Sequence, residues 1–288
     1  MSEGLIAIRG TENAARVADI VFVHGLGGHY WSTWHPQESE EDTHFFPMWL
    51  GDDFPDYGIW SMDYDSSLVR SEGSQMPILD LAAYMAAELD SEDLGRHPLI
   101  FITHSMGGIL VKQMLRNAQD YGDSYRKRLV DQTRGIVFIA TPHSGSDLVS
   151  FFKFLKSIVS INVQELEASH PRLLELNRAY RSHEILSQIP VQVFRETKPT
   201  TIANISKIIV VDAATADPGI AQVEPIPIPD ADHISISKPE SKKTTVYKSV
   251  KTFISRNIQT QQPLPNLQGS DKPVQPQFAD SKKKIVKK

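Results

Sequence analysis

Short apolar runs recur along the chain, separated by stretches whose apolar positions fall three and four residues apart. Asp19 to Val23, Gly58 to Met62, Leu99 to Thr103, Gly135 to Ala140, Val191 to Arg195 and Lys207 to Asp212 read as six main strands, with a weaker one at Leu5 to Arg9. Between them, Ile78, Leu79, Leu81, Ala82, Met85 and Leu89 keep helical spacing. Val246, Val250, Phe253 and Ile254 repeat that spacing, so the last helix is expected to pack back onto the sheet. Strands alternating with helical stretches predict an α/β architecture, a mostly parallel central sheet flanked by helices.

Composition narrows the picture. A chain of 288 residues, 40% hydrophobic and 23% charged, can bury a full core as one domain. That domain is expected over residues 1–260. After it the chain turns Pro, Gln and Lys rich, and 261–288 reads as a disordered tail. Its lysines, Lys282, Lys283, Lys284, Lys287 and Lys288, could attract anionic lipid. A solvated terminus without function is the preferred reading of these lysines. The net charge of −5 offers no basic face for nucleic acid. With no cysteine, disulfides, zinc-thiolate sites and cysteine nucleophiles are excluded. The start, Met1-Ser2-Glu3-Gly4, has no signal-peptide pattern, and no stretch reaches the roughly 18 apolar residues of a membrane span. A cytoplasmic location with peripheral membrane contact is the expectation.

The chemistry concentrates at one strand end. Pro98 to Ile102 runs into Thr103-His104-Ser105-Met106-Gly107-Gly108 and then the helical stretch Ile109 to Leu115. Strand, sharp turn, serine, helix is the order that holds a hydroxyl beside a base and facing oxyanion donors. Ser105 is therefore the candidate nucleophile. Gly107 and Gly108 let the turn close. Thr103 stands where the G-x-S-x-G pattern has its first glycine, and its branched side chain needs room. Upstream, Ile20 to Val23 leads into His24-Gly25-Leu26-Gly27-Gly28, a loop able to approach substrate closely. Leu26 and Met106 are the candidate oxyanion N–H donors. A phosphate loop is the competing reading, but no Gly-Lys-Ser/Thr follows.

A base is expected later in the chain. His233, within Pro229 to Ser235, lies between the last predicted strand and the last helix. Two carboxylates compete as its partner. Glu196 directly follows the strand Val191 to Arg195, and Asp212 ends the next strand and is the alternative acid. Strand-end carboxylates also serve as helix caps. Asp230 and Asp232 stand too near His233 in sequence to reach its far ring nitrogen. His104 leaves the elbow in a different direction from Ser105, and His24 and His143 read as supports of the glycine-rich turns. The ten histidines show no H-E-x-x-H spacing, so no metal or other cofactor is expected.

Taken in order, six blocks resemble the serine-active-site-containing, lipase-like α/β-hydrolases, a family related to GPI inositol deacylases. They are Asp19 to Trp34, Phe46 to Ser66, Thr103 to Gly108, Gly135 to Ser146, Glu196 to Thr200 and Ala231 to His233. The resemblance covers about residues 15–257. It implies the α/β-hydrolase fold and a serine esterase or lipase acting on lipid acyl esters. It also favours Glu196, which coincides with the family's Glu-Thr block.

Between the strands ending at Ala140 and starting at Val191, the connection at about 147–189 is longer than a plain crossover. Leu148, Phe151, Phe152, Leu155, Ile158 and Val159 keep helix spacing there, interleaved with Lys153 and Lys156. Such a stripe is either core or a helical lid whose Phe151, Phe152 and Leu155 face receives acyl chains. A second functional class stays open. Domains of this family also stand in multidomain signalling chains, so an inactive interaction module of a signalling or defence system is the alternative. Thr103 speaks for it, and the serine, acid and histidine speak against it. Amidase and thioesterase chemistry would use the same residues.

Overall fold

A strand that lies between two helical layers must be apolar on both faces, and the central strands meet that demand. The computed structural model describes residues 4–39, 42–64, 78–143, 148–158, 163–202 and 206–259. The tail at 261–288, Asp65 and Ser66, Ser144 to Ser146 and Val159 lie outside the described residues. In chain order the first half holds β1 (Gly4–Arg9), β2 (Ala18–Val23), α1 (Phe46–Asp53), β3 (Tyr57–Asp63), α2 (Ile78–Ser91), β4 (Leu99–His104), α3 (Met106–Tyr121) and α4 (Ser124–Gln132). The second half holds β5 (Thr133–Ile139), α5 (Leu148–Ile158), α6 (Val163–Ser182), β6 (Val191–Glu196), β7 (Thr200–Ile202), β8 (Ser206–Ile208), α7 (Ala213–Ala216), β9 (Ile226–Ile228) and α8 (Thr245–Gln259). All six residues of β2 and of β4 are buried.

Seven strands form the main sheet in the order β1-β3-β2-β4-β5-β6-β9. Only β1 runs antiparallel to its neighbour, and the other pairings are parallel. Val21 pairs with Phe101, and Phe101 in turn with Ile136, so the strand ends that carry the candidate residues come out at one edge. One face is covered by α2, α3, α4 and the buried residues of α5 and α6, with Leu81, Met85, Leu110, Met114 and Leu129 in its core. The other is covered by α1 and α8 through Phe46, Trp49, Leu50, Val250 and Ile254. The expected return of the last helix onto the sheet is observed. Among the described residues no helix is long and apolar enough to cross a membrane.

One strand assignment is corrected. Lys207 to Asp212 is not a strand of the main sheet. Its first residues form β8, which pairs antiparallel with β7 in a separate hairpin. The amides of Val210 and Val211 are taken up elsewhere, by the side chain of Glu196. The seventh place in the sheet belongs to β9, with Phe194 paired to Ile226 and Glu196 to Ile228. Pro227 cannot donate to a ladder, and at the outer edge it does not have to.

Candidate active site

Ser105 sits between β4 and α3 with φ +53° and ψ −125°, a left-handed conformation that a side-chain-bearing residue adopts at a cost of about 1–3 kcal/mol. The turn is tied to the neighbouring strand by the Ser105 N–H, which donates to the Ile139 carbonyl at 2.9 Å. Two close approaches require glycine. A Cβ on Gly107 would come within 2.3 Å of the Val23 carbonyl oxygen. A Cβ on Gly25 would come within 2.8 Å of the Ser105 Cβ, so the His24 to Gly28 loop lies directly against the serine. Thr103 is fully buried, and its hydroxyl donates to the Val137 carbonyl at 2.9 Å. The departure from glycine is thus accommodated against β5.

The structure brings Ser105, His233 and Glu196 together. Nε2 of His233 lies 2.9 Å from the Ser105 hydroxyl oxygen, and Nδ1 lies 3.0 Å from Oε2 of Glu196. The other carboxylate oxygen of Glu196 accepts from the amides of Val210 and Val211 at 2.7 and 2.8 Å. A wholly buried carboxyl needs such donors, and these three supply them. Asp212 is placed elsewhere. It caps α7, its carboxylate accepting from the Thr215 N–H at 2.8 Å. The hairpin that follows Glu196 also grips the histidine loop. Thr200 Oγ1 accepts from the His233 N–H at 2.9 Å, and the Thr197 and Lys198 amides donate to Ala231.

Leu26 and Met106 are both buried beside the serine, Met106 as the first residue of α3. Among the described residues neither N–H meets an acceptor. The first amides of a helix have no intrahelical partner, and the positive end of the helix dipole favours an anion there. His24 holds the glycine loop: its Nδ1 donates to the Gly25 carbonyl at 2.8 Å, and its ring stacks on Tyr64 at 4.2 Å.

From the insertion, α5 turns Phe151, Phe154 and Leu155 inward, all buried. The Phe154 ring stands edge-on to His233 at 4.6 Å between centroids, and Phe151 at 6.4 Å. Phe152 is half-buried, and Lys153 and Lys156 are exposed. Sequence reasoning missed Phe154, although it lies three residues after Phe151 on the same helical face. It also missed Lys112 of α3, a buried lysine whose Nζ bonds to Nδ1 of His143 and Oδ1 of Asn177, both at 2.7 Å. Burial, with a smaller contribution from Arg181, pushes the Lys112 amine down to about 7. Burial and Lys112 likewise hold His143 well below the usual histidine range. His143 thus supports the junction of α3 and α6. Among the described residues no three metal-ligating side chains converge.

Strand order, elbow and partner histidine define the class. The description of the alpha/beta hydrolase family matches residues 20–240, and the chain belongs to that family. The family read from the motif blocks is therefore the one found. Among its relatives, protein SERAC1 of Danio rerio is 34% identical over 259 residues, covering 82% of this chain and 38% of the relative. SERAC1 of Homo sapiens is 32% identical over 256 residues, with the same coverage. The chain thus spans well under half the length of these relatives. Among solved structures, the mature lipase BlEst2 of Bacillus licheniformis superposes with a TM-score of 0.57 at 18% identity, over 87% of this chain and 99% of that one. The enol-lactonase of Burkholderia xenovorans LB400 does so with a TM-score of 0.50 at 16% identity, over 87% and 96%. At these identities the likeness is one of fold.

Proposed function

We propose that the protein is a serine hydrolase that cleaves carboxylic esters, with lipid acyl esters as its substrates, through a covalent acyl-enzyme. Ser105 attacks the ester carbonyl while Nε2 of His233 takes its proton. Glu196 holds the opposite ring nitrogen as N–H and stabilises the imidazolium that forms. The oxyanion is received by the Leu26 and Met106 amides, each such donor contributing on the order of 3 kcal/mol to the transition state. His233 returns the proton to the leaving alcohol. It then activates a water that releases the acid and restores Ser105.

The observation that carries this reading is the series of two hydrogen bonds, 2.9 and 3.0 Å, running from Ser105 through His233 to Glu196. Support for an acyl substrate comes from α5, whose phenylalanines wall the histidine. Ser105 is 2% exposed and His233 is fully buried. An ester reaches them once α5 shifts, so the helix acts as a lid and its apolar face receives the acyl chain. The exposed Lys153 and Lys156 on its outer side suit an anionic lipid surface.

The alternative, a binding module with a degenerate site, draws on Thr103. Because that residue is buried with its hydroxyl bonded, it gives the alternative little support. Turnover of short p-nitrophenyl esters tests the proposal. Ser105→Ala should lower kcat by about three orders of magnitude or more. A folded variant with turnover near that of the wild type would overturn it.

A further inference from the structure

Four hydrogen bonds converge on His233, and one of them comes from the residue next to the nucleophile. Nε2 of His104 lies 2.8 Å from the His233 carbonyl oxygen. Since a carbonyl only accepts, His104 is the donor and carries its proton on Nε2. The two imidazole rings also touch, tilted, at 5.1 Å between centroids. On the preceding peptide group, Thr200 Oγ1 accepts from the His233 N–H. His233 lies in a loop, between Pro229 and the turn at Ser235–Ser237, and no sheet ladder fixes its backbone. Its main chain is held by these two side-chain bonds, and its ring by Ser105 and Glu196.

We propose that His104 is a positioning residue for the base: it ties the backbone of His233 to the elbow, so that the distance between nucleophile and base is set by two adjacent residues of one rigid turn. His104 and Ser105 leave that turn in different directions, yet both end on His233, one on its carbonyl and the other on its ring. A movement of the elbow therefore carries the base with it. Burial, with the neighbouring His233 contributing, pushes His104 down to about 3. It thus remains a neutral donor throughout the neutral range. The inference rests on the hydrolase reading above and explains a residue which that reading leaves without a role.

The test compares His104→Gln, whose amide can replace the Nε2 donor, with His104→Asn, which is too short, and His104→Phe, which keeps a ring and removes the donor. Asn and Phe should lower kcat about 10- to 100-fold with KM within about twofold, since a misplacement of this kind acts on the transition state. Gln should recover most of the loss. The far-downfield proton resonance of His233 Nδ1–H should stay sharp in the wild type and the Gln variant and broaden away in the other two. Equal kcat for Gln and Asn, or a Phe variant within about threefold of wild type with the resonance intact, would overturn the role. Should Phe fail to fold, the Gln and Asn pair decides. The resonance requires no turnover. A wild type that shows it without cleaving esters would overturn the hydrolase reading while this inference is still read from the variants.

Discussion

Oε2 of Glu196 lies 3.0 Å from Nδ1 of His233, while its Oε1 is occupied by two backbone amides. The amides fix the direction in which the carboxylate points, and so the tautomer of the histidine. Replacing the acid with its amide presents an N–H or a carbonyl oxygen to a site built for two acceptor oxygens. Glu196→Gln should therefore lower kcat by about two to four orders of magnitude. Asp212→Asn should stay within about threefold, because an asparagine still caps α7. Esterase kinetics on folded variants decide, and the opposite ranking would move the acid to Asp212.

The second prediction concerns α5. If its buried face is the acyl wall, Phe151→Ala and Phe154→Ala should each lower kcat/KM for a long-chain p-nitrophenyl ester about tenfold, with the acetate ester changing less than about threefold. Equal losses on both esters, accompanied by the roughly 3–5 kcal/mol destabilisation of an emptied core site, would make the helix core instead.

Lys112 gives a prediction in pH. Its amine sits at about 7 in the fold against an ordinary value of 10.5, so the unfolded chain binds more protons between those limits. The contribution of Lys112 to stability then rises with pH across that window, by at most about 1.4 kcal/mol per unit. Below about pH 7 the penalty for the buried charge is constant. Lys112→Met removes this slope along with the bonds to His143 and Asn177. Urea unfolding of both proteins between about pH 6.5 and 9.5 should show the wild type gaining on the variant as pH rises. A difference that does not change with pH would contradict the assignment of a depressed amine.

Much of this was legible in the sequence, for physical reasons that also explain the misses. Strands buried on both faces leave continuous apolar runs, so β2, β4 and β5 stood out. The elbow was visible because its glycines are forced by close approaches, Gly107 by the backbone of Val23 and His24 and Gly108 by the side chains of Thr141 and Phe138. Ile208 to Val211 looked like another such run, since periodicity cannot distinguish a strand from a buried segment whose amides serve a carboxylate. Ile226-Pro227-Ile228 was not among the expected strands, because three residues with a central proline form a strand only at an edge. Glu196 and Asp212 were both visible as strand-end acids, but which one reaches His233 depends on the path of the β7–β8 hairpin. Lys112 read as an ordinary helix residue. The first ten residues of α3 are all buried, so polarity there no longer marks the solvent face.

The central claim is that Ser105 is a nucleophile activated by His233. Intact-mass and peptide mapping after reaction with a fluorophosphonate test it most directly, because the reagent needs the serine, the base and the oxyanion donors together but no knowledge of the substrate. One adduct per chain, located on Ser105 and absent from Ser105→Ala and strongly slowed in His233→Ala, is the predicted result. A folded wild-type protein that stays unlabelled, or that carries the adduct on another residue, would contradict it.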